Sequence, residues 1–157
     1  MFEEVLLVNP DHPEAHLGIA ESHLSEGDFP DAQEPLEKAL ATNPSLPGAL
    51  RARALMELYD QEYEKASETL AAALEINPKD LEALGLAALC ERARGDNEAE
   101  KELEARAFAV RENPAVFFNA AGEACAYKRW SIEADEYFGR ALEIERRKAI
   151  DGQNGGQ

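Results

Sequence analysis

Alanine recurs in this chain with a period that dictates its architecture. The spacing is 34 residues three times in succession, between Ala39, Ala73, Ala107 and Ala141. The position after each alanine holds a large apolar residue, namely Leu40, Leu74, Phe108 and Leu142. A constant period of this length is typical of repeated units, none of which can bury an apolar face alone. Stacked units bury it together, so the sequence predicts a solenoid with an extended concave surface.

Each unit divides into two helical stretches joined by a short turn. In the first full unit these are residues 13–25 and 29–42, where apolar residues recur at helical spacing. Gly27 and Gly95 lie where the end of a helix favours a left-handed residue. Short turns make paired helices antiparallel. We predict an all-α chain with a half repeat and then four full repeats, near residues 13–46, 47–80, 81–114 and 115–148.

The repeat domain is predicted to span residues 1–150. The last helix runs into the segment DGQNGGQ, residues 151–157, which has no apolar anchor. Segments of this kind at a chain end are poorly held, so we expect a flexible tail.

The second helices of the units share a pattern of alanine, a large apolar residue, alanine and proline. In the first two full units these sites hold Ala32, Leu36, Ala39 and Pro44, then Ala66, Leu70, Ala73 and Pro78. This pattern resembles the signature of the tetratricopeptide repeat family. The third unit departs, with Glu100 and Glu104 at the first two sites. There, a rotated stripe of Ala99, Leu103, Ala107 and Val110 is expected to be buried instead.

The first helices match the family more loosely. Its tryptophan site is filled by His16, Leu50, Leu84 and Phe118, and its small-residue site by Ala20, Ala54, Ala88 and Gly122. The resemblance covers residues 2 to about 145. It implies a right-handed superhelical solenoid that binds a peptide or partner protein in a concave groove lined by the first helix of each pair.

The family's geometry also implies which residues face that groove. Those we expect to bind a partner are Leu17, Glu21, Arg51, Leu55, Tyr59, Leu89, Arg92, Asn119, Glu123 and Tyr127. Exposed tyrosine and arginine are common in binding hot spots. A core position is the alternative for some of these residues, notably Leu55.

The Asn-Pro dipeptide recurs four times, and its last copy comes late. The first three copies are 34 residues apart, whereas Asn113-Pro114 follows Asn77-Pro78 by 36. Since the alanine period does not change, the shift predicts a longer second helix in the third unit and a tighter link to the fourth. Asn113 would then be the N-cap of the next helix and Pro114 its first residue.

The net charge of the chain limits the classes of partner, and its N-terminal segment and apolar runs indicate its location. A net charge of −16 argues against binding to nucleic acid or to anionic lipid, because both need clustered lysine and arginine. A partner steered by charge would be basic, or mixed apolar and charged. The segment MFEEVLLVNP lacks the basic start of a signal peptide, and no apolar run is long enough for a membrane span. We therefore expect a cytoplasmic location.

No residue pattern indicates catalysis, a cofactor or a metal. His12, His16 and His23 lack the glutamate of the zinc hydrolase motif, and packing accounts for the last two. Cys90 and Cys125 are best explained as small buried hydrophobes. The sequence thus predicts a non-enzymatic interaction scaffold. The alternatives are a repeat segment that positions a neighbouring domain of a larger protein, and a homodimer formed through uncapped solenoid ends.

Overall fold

The computed structural model describes residues 1–111 and 114–154. Within these residues the chain forms only α-helices, so the all-α prediction is confirmed. The described residues form nine helices, namely α1 (Phe2–Val8), α2 (Pro13–Glu26), α3 (Phe29–Thr42), α4 (Pro47–Tyr59), α5 (Tyr63–Ile76), α6 (Leu81–Arg94), α7 (Asn97–Val110), α8 (Ala115–Tyr127) and α9 (Ser131–Asn154).

The helices form four antiparallel pairs, which we number as units one to four. The pairs are α2 with α3, α4 with α5, α6 with α7, and α8 with α9, while α1 packs on α2. First helices begin at Pro13, Pro47, Leu81 and Ala115, so their starts are 34 residues apart throughout. The second helices start with the same spacing, and the helix bounds therefore follow the alanine period.

The turn inside every unit carries a left-handed residue at the same register. Gly27 and Gly95 both have φ of 83°, as their positions predicted, and they end α2 and α6. In the second and fourth units the equivalent residues are Gln61, with φ of 67°, and Arg129, with φ of 58°. The turn geometry is thus conserved even where no glycine relieves the strain on a side chain.

The predicted lengthening of the third unit's second helix is wrong. Helix α7 has 14 residues, as do α3 and α5, and the link to α8 spans the same four positions as the earlier links. Pro114 stands at the N-cap of α8 and is not its first helical residue. The helix ends are set by packing, since Ala107 and Ala115 are buried on either side of the link. Asn113 and its predicted capping role lie outside the described residues.

The core runs along the solenoid in two clusters of buried side chains that meet at Leu55. The residues at the tryptophan site and at the small-residue site are all buried. A Cβ on Gly122 would lie 2.8 Å from the ring of Phe138, so only glycine fits there without a shift of that ring. Of the predicted rotated stripe in α7, Ala107 is buried, and Leu103 and Val110 are partly buried and pack against the core. The side chains of Glu100 and Glu104 point toward the next unit. Tyr137 of α9 donates a hydrogen bond to Glu100, and Arg140 of α9 forms an ion pair with Glu104.

The last helix, α9, continues to Asn154, ten residues beyond the position equivalent to the end of α7. Residues 151–154, where we expected the tail to begin, are therefore helical. The mobility of the end of the chain stays a prediction.

Candidate functional site

A cavity of about 350 Å³ lies on the concave side of the solenoid. All four first helices contribute to it, and α4 packs against α8 across the intervening unit. Its lining residues are Glu21, Leu24 and Ser25 of α2, Gly48, Arg51, Ala52 and Leu55 of α4, Glu82 and Leu86 of α6, and Val116, Asn119, Ala120, Glu123, Ala124 and Tyr127 of α8. The curvature of the array thus converts a groove into a partly enclosed chamber.

Three carboxylates from three different helices line this cavity. Burial raises the pKa of Glu21 and of Glu123 above the ordinary value, and the negative charge of Glu82 raises both further. Arg51 opposes the shift in the pKa of Glu21. The chamber therefore concentrates negative charge in a partly desolvated space.

The cation of Arg51 is engaged within the fold. Its Nη1 lies 2.6 Å from Oδ2 of Asp80, and its Nε lies 3.1 Å from Oε2 of Glu82. Asp80 also caps α6 by accepting a hydrogen bond from the backbone N–H of Ala83 at 3.0 Å. Arg51 consequently ties α4 to the start of α6, and its charge also acts on the nearby Glu21.

An aromatic clasp, formed by Phe29, Tyr59, Tyr127 and Lys128, joins the first two units to the fourth. The rings of Phe29 and Tyr59 are stacked at 4.0 Å, and Tyr127 meets Phe29 edge to face at 5.5 Å. Lys128 Nζ lies 5.0 Å from the centre of the Tyr59 ring and donates to the carbonyl oxygen of Tyr59. Since Tyr127 also lines the cavity, the clasp stands at its edge.

The close approach of α8 to α6 helps to bring the fourth unit toward the first two units. A Cβ on Gly85 would lie 2.2 Å from the backbone oxygen of Phe117, so the two helices meet there without an intervening side chain. Small residues allow backbones to pack at such short range. This contact orients α8 over the concave face.

Six of the ten predicted groove residues line the cavity. They are Glu21, Arg51, Leu55, Asn119, Glu123 and Tyr127. These come from α2, α4 and α8, and the structure brings them together around one space. Their binding role stays a prediction.

The other four predicted groove residues lie outside this cavity. Leu17 is buried and packs at Gly48, and Leu89 is only 1% exposed because α8 covers its face of α6. Tyr59 is in the clasp. Arg92 faces α7 and α9 instead, where its guanidinium lies 2.8 Å from Glu136 and over the ring of Tyr137.

Glu82, Leu86 and Val116 line the cavity but were missed from the sequence. Glu82 and Val116 share one register, three positions before that of Arg51 and Asn119. Extending the predicted stripe by one helical turn toward the N-terminus would have found Glu82 and Val116, because positions i and i−3 share a face.

The remaining candidates for chemistry are modest. Cys90 and Cys125 are buried thiols, and burial raises the pKa of each to about 12. His23, Glu26 and Asp28 lie close together at the end of α2, but the glutamate and the aspartate are exposed, as solvated acidic groups usually are. Among the described residues, no helix combines the length and the apolar character that a membrane crossing requires.

The stacked helix pairs and their concave cavity define a helical-repeat solenoid of the kind that serves as an interaction scaffold. The tetratricopeptide repeat family model matches residues 1–55 and again 23–90, so together the matches span 90 of the 157 residues. The chain belongs to the tetratricopeptide repeat family.

Solved structures show the same fold. A crystal structure of MamA is 23% identical with a TM-score of 0.68, over 95% of this chain and 87% of that one. MamA 41-end from Desulfovibrio magneticus RS-1 is 21% identical with a TM-score of 0.65, over 93% and 82%. Pseudomonas aeruginosa pilF is 18% identical with a TM-score of 0.68, over 91% and 65%. No curated protein matches the sequence.

Proposed function

We propose that this chain is a non-enzymatic protein-interaction module that holds a segment of a partner in its concave cavity. The observation that carries the proposal is the shared lining, because four helices from four units surround one space. A site formed by convergent elements of a packed scaffold is typical of specific recognition.

The mechanism is preorganisation. The cavity walls rest on side chains that are fully buried at the helix crossings, such as Ala54, Ala88 and Ala121. The clasp holds the first and fourth units together before any partner arrives. A cavity that is already ordered loses little conformational entropy on binding.

Two tryptophan substitutions on the same helix test this proposal. Ala120 lines the cavity, whereas Ala126 is exposed on α8 outside it. We expect Ala120→Trp to fill the space and to abolish capture of those proteins that the wild type enriches from the source cell's lysate. Ala126→Trp adds the same bulk elsewhere and should capture them normally. Equal capture by both variants and the wild type would contradict a role for the cavity.

We propose self-association through the solenoid ends as a second candidate function. Leu142 of α9 is 71% exposed, whereas the equivalent Leu40, Leu74 and Phe108 are 8%, 7% and 41% exposed. Helix α1 likewise exposes Leu7 and Val8, at 85% and 89%. Apolar surface at both ends of one chain favours contact with a second copy.

Light scattering over a range of concentrations distinguishes the outcomes. A dimer that Leu142→Lys dissociates would support self-association. A strict monomer at high concentration would contradict it.

A further inference from the structure

We infer that the cavity recognises a partner by a single cationic side chain, arginine or lysine, inserted between α2, α6 and α8. This inference rests on the proposed function and names the chemistry of the bound segment. It is carried by the cavity's charge, its apolar walls and its size, all three of which are features of the folded chain.

The charge comes first. Glu21, Glu82 and Glu123 approach the cavity from three helices. Among the described residues of the lining, Arg51 is the arginine; it is paired with Asp80 and Glu82, and it attracts Glu21 more weakly. Within the described residues, neither Glu21 nor Glu123 is held in an ion pair. Like charges in a partly desolvated space repel each other, so a cation placed among them relieves repulsion and gains attraction at once.

The walls suit the stem of such a side chain. Leu24, Leu55, Leu86 and Val116 supply apolar surface beside the carboxylates, and the ring of Tyr127 stands at the edge. Arginine and lysine bury their methylene groups along apolar surface while the charged end stays with polar partners. An aromatic ring nearby adds attraction for the cation.

The size limits the occupant. A volume of 350 Å³ lies near the lower end of the range of about 300–1,000 Å³ typical of small-ligand pockets. Tyr127, which belongs to the clasp, stands at its edge. The cavity therefore suits one side chain with its flanking backbone.

Titration calorimetry with capped tripeptides tests the inference. The probes are acetyl-Gly-Arg-Gly-amide, its lysine analogue, and its citrulline analogue, which keeps the shape of arginine without the charge. We expect saturable binding of the arginine and lysine peptides that weakens as salt rises, and binding of the citrulline peptide that is weaker by about tenfold or more.

Charge-neutral variants locate the site. Glu123→Gln and Glu21→Gln should each weaken the arginine peptide by about tenfold, as expected for one charge-assisted contact at a half-exposed carboxylate. Glu68→Gln makes the same charge change on the exposed face of α5 and should leave the affinity unchanged. Circular dichroism confirms that each variant folds.

The outcomes separate this inference from the proposed function. Equal affinity for the arginine and citrulline peptides, or no effect of either cavity variant, would overturn the selection of a cation. So would an absence of saturable binding by the arginine peptide. If Ala120→Trp still abolishes partner capture in any of these cases, the interaction module stands and only the chemistry of its ligand is wrong.

Discussion

Gly85→Ala should destabilise the protein even though alanine favours helices. A Cβ at this position would lie 2.2 Å from the backbone oxygen and 3.0 Å from the carbonyl carbon of Phe117. Ordinary van der Waals contact begins near 3.4 Å. Because the obstacle is backbone, no side-chain rotation relieves it, and α8 must move away from α6 by about 1 Å.

The magnitude follows from two opposing terms. Overpacking a tight contact costs about 1–3 kcal/mol, and replacing glycine by alanine within a helix recovers up to about 1 kcal/mol. We expect a net loss of about 1–2 kcal/mol in the free energy of unfolding. Gly139→Ala is the matched control, because no atom lies within 4 Å of its added Cβ. It should stabilise α9 by about 0.5–1 kcal/mol.

Guanidinium unfolding followed by circular dichroism and by fluorescence measures both changes. Trp130 is the single tryptophan and stands at the α8–α9 turn, so its fluorescence reports on the fourth unit. We expect the fluorescence midpoint of Gly85→Ala to fall at least as far as the dichroism midpoint, since neighbour contacts couple the units. If Gly85→Ala matches or exceeds the stability of Gly139→Ala, the close approach of α6 and α8 is refuted.

Three further predictions concern the clasp, a carboxylate and the thiols. Lys128→Met should cost about 1 kcal/mol by losing the contact with the Tyr59 ring and carbonyl; an unchanged unfolding midpoint would count against the clasp. The raised pKa of Glu123 means that its charged form disfavours the fold above that pKa, and that this penalty disappears as pH falls below the unfolded value. Glu123→Gln should therefore raise the melting temperature at pH 7, and the corresponding gain in the free energy of unfolding should be less than about 1 kcal/mol. This gain should shrink toward pH 4, and a gain that persists at low pH would argue for another cause. Cys90 and Cys125, with pKa raised to about 12, should resist a thiol reagent at pH 8 until the protein is unfolded; rapid labelling of the native protein would show that they are accessible.

The helix pairs could be predicted because the residues that recur every 34 positions are packed in the core. Ala39, Ala73 and Ala107 have no exposed surface, so each marks a crossing where only a small side chain fits. The position of a proline is a weaker guide. Pro114 arrives two residues late, yet the four-residue link absorbs the shift and the helices do not change.

The cavity could be predicted only in part, because it depends on how units sit relative to one another. A register applied unit by unit selected Glu21, Leu55 and Glu123, which line the cavity, but it also selected Leu89, which is buried. The clasp lay beyond such reasoning altogether. Lys128 and Tyr59 are 69 residues apart, and their contact results from curvature summed over several units.

The clasp also makes the number of units matter. In most solenoids each unit touches only its neighbours, so units can be added or removed without consequence for distant ones. Here Phe29 and Tyr59, in the first and second units, meet Tyr127 and Lys128 in the fourth. One extra unit inserted between them would carry the partners apart and open the chamber. The size of the cavity is therefore coupled to the number of units that separate the two halves of the clasp.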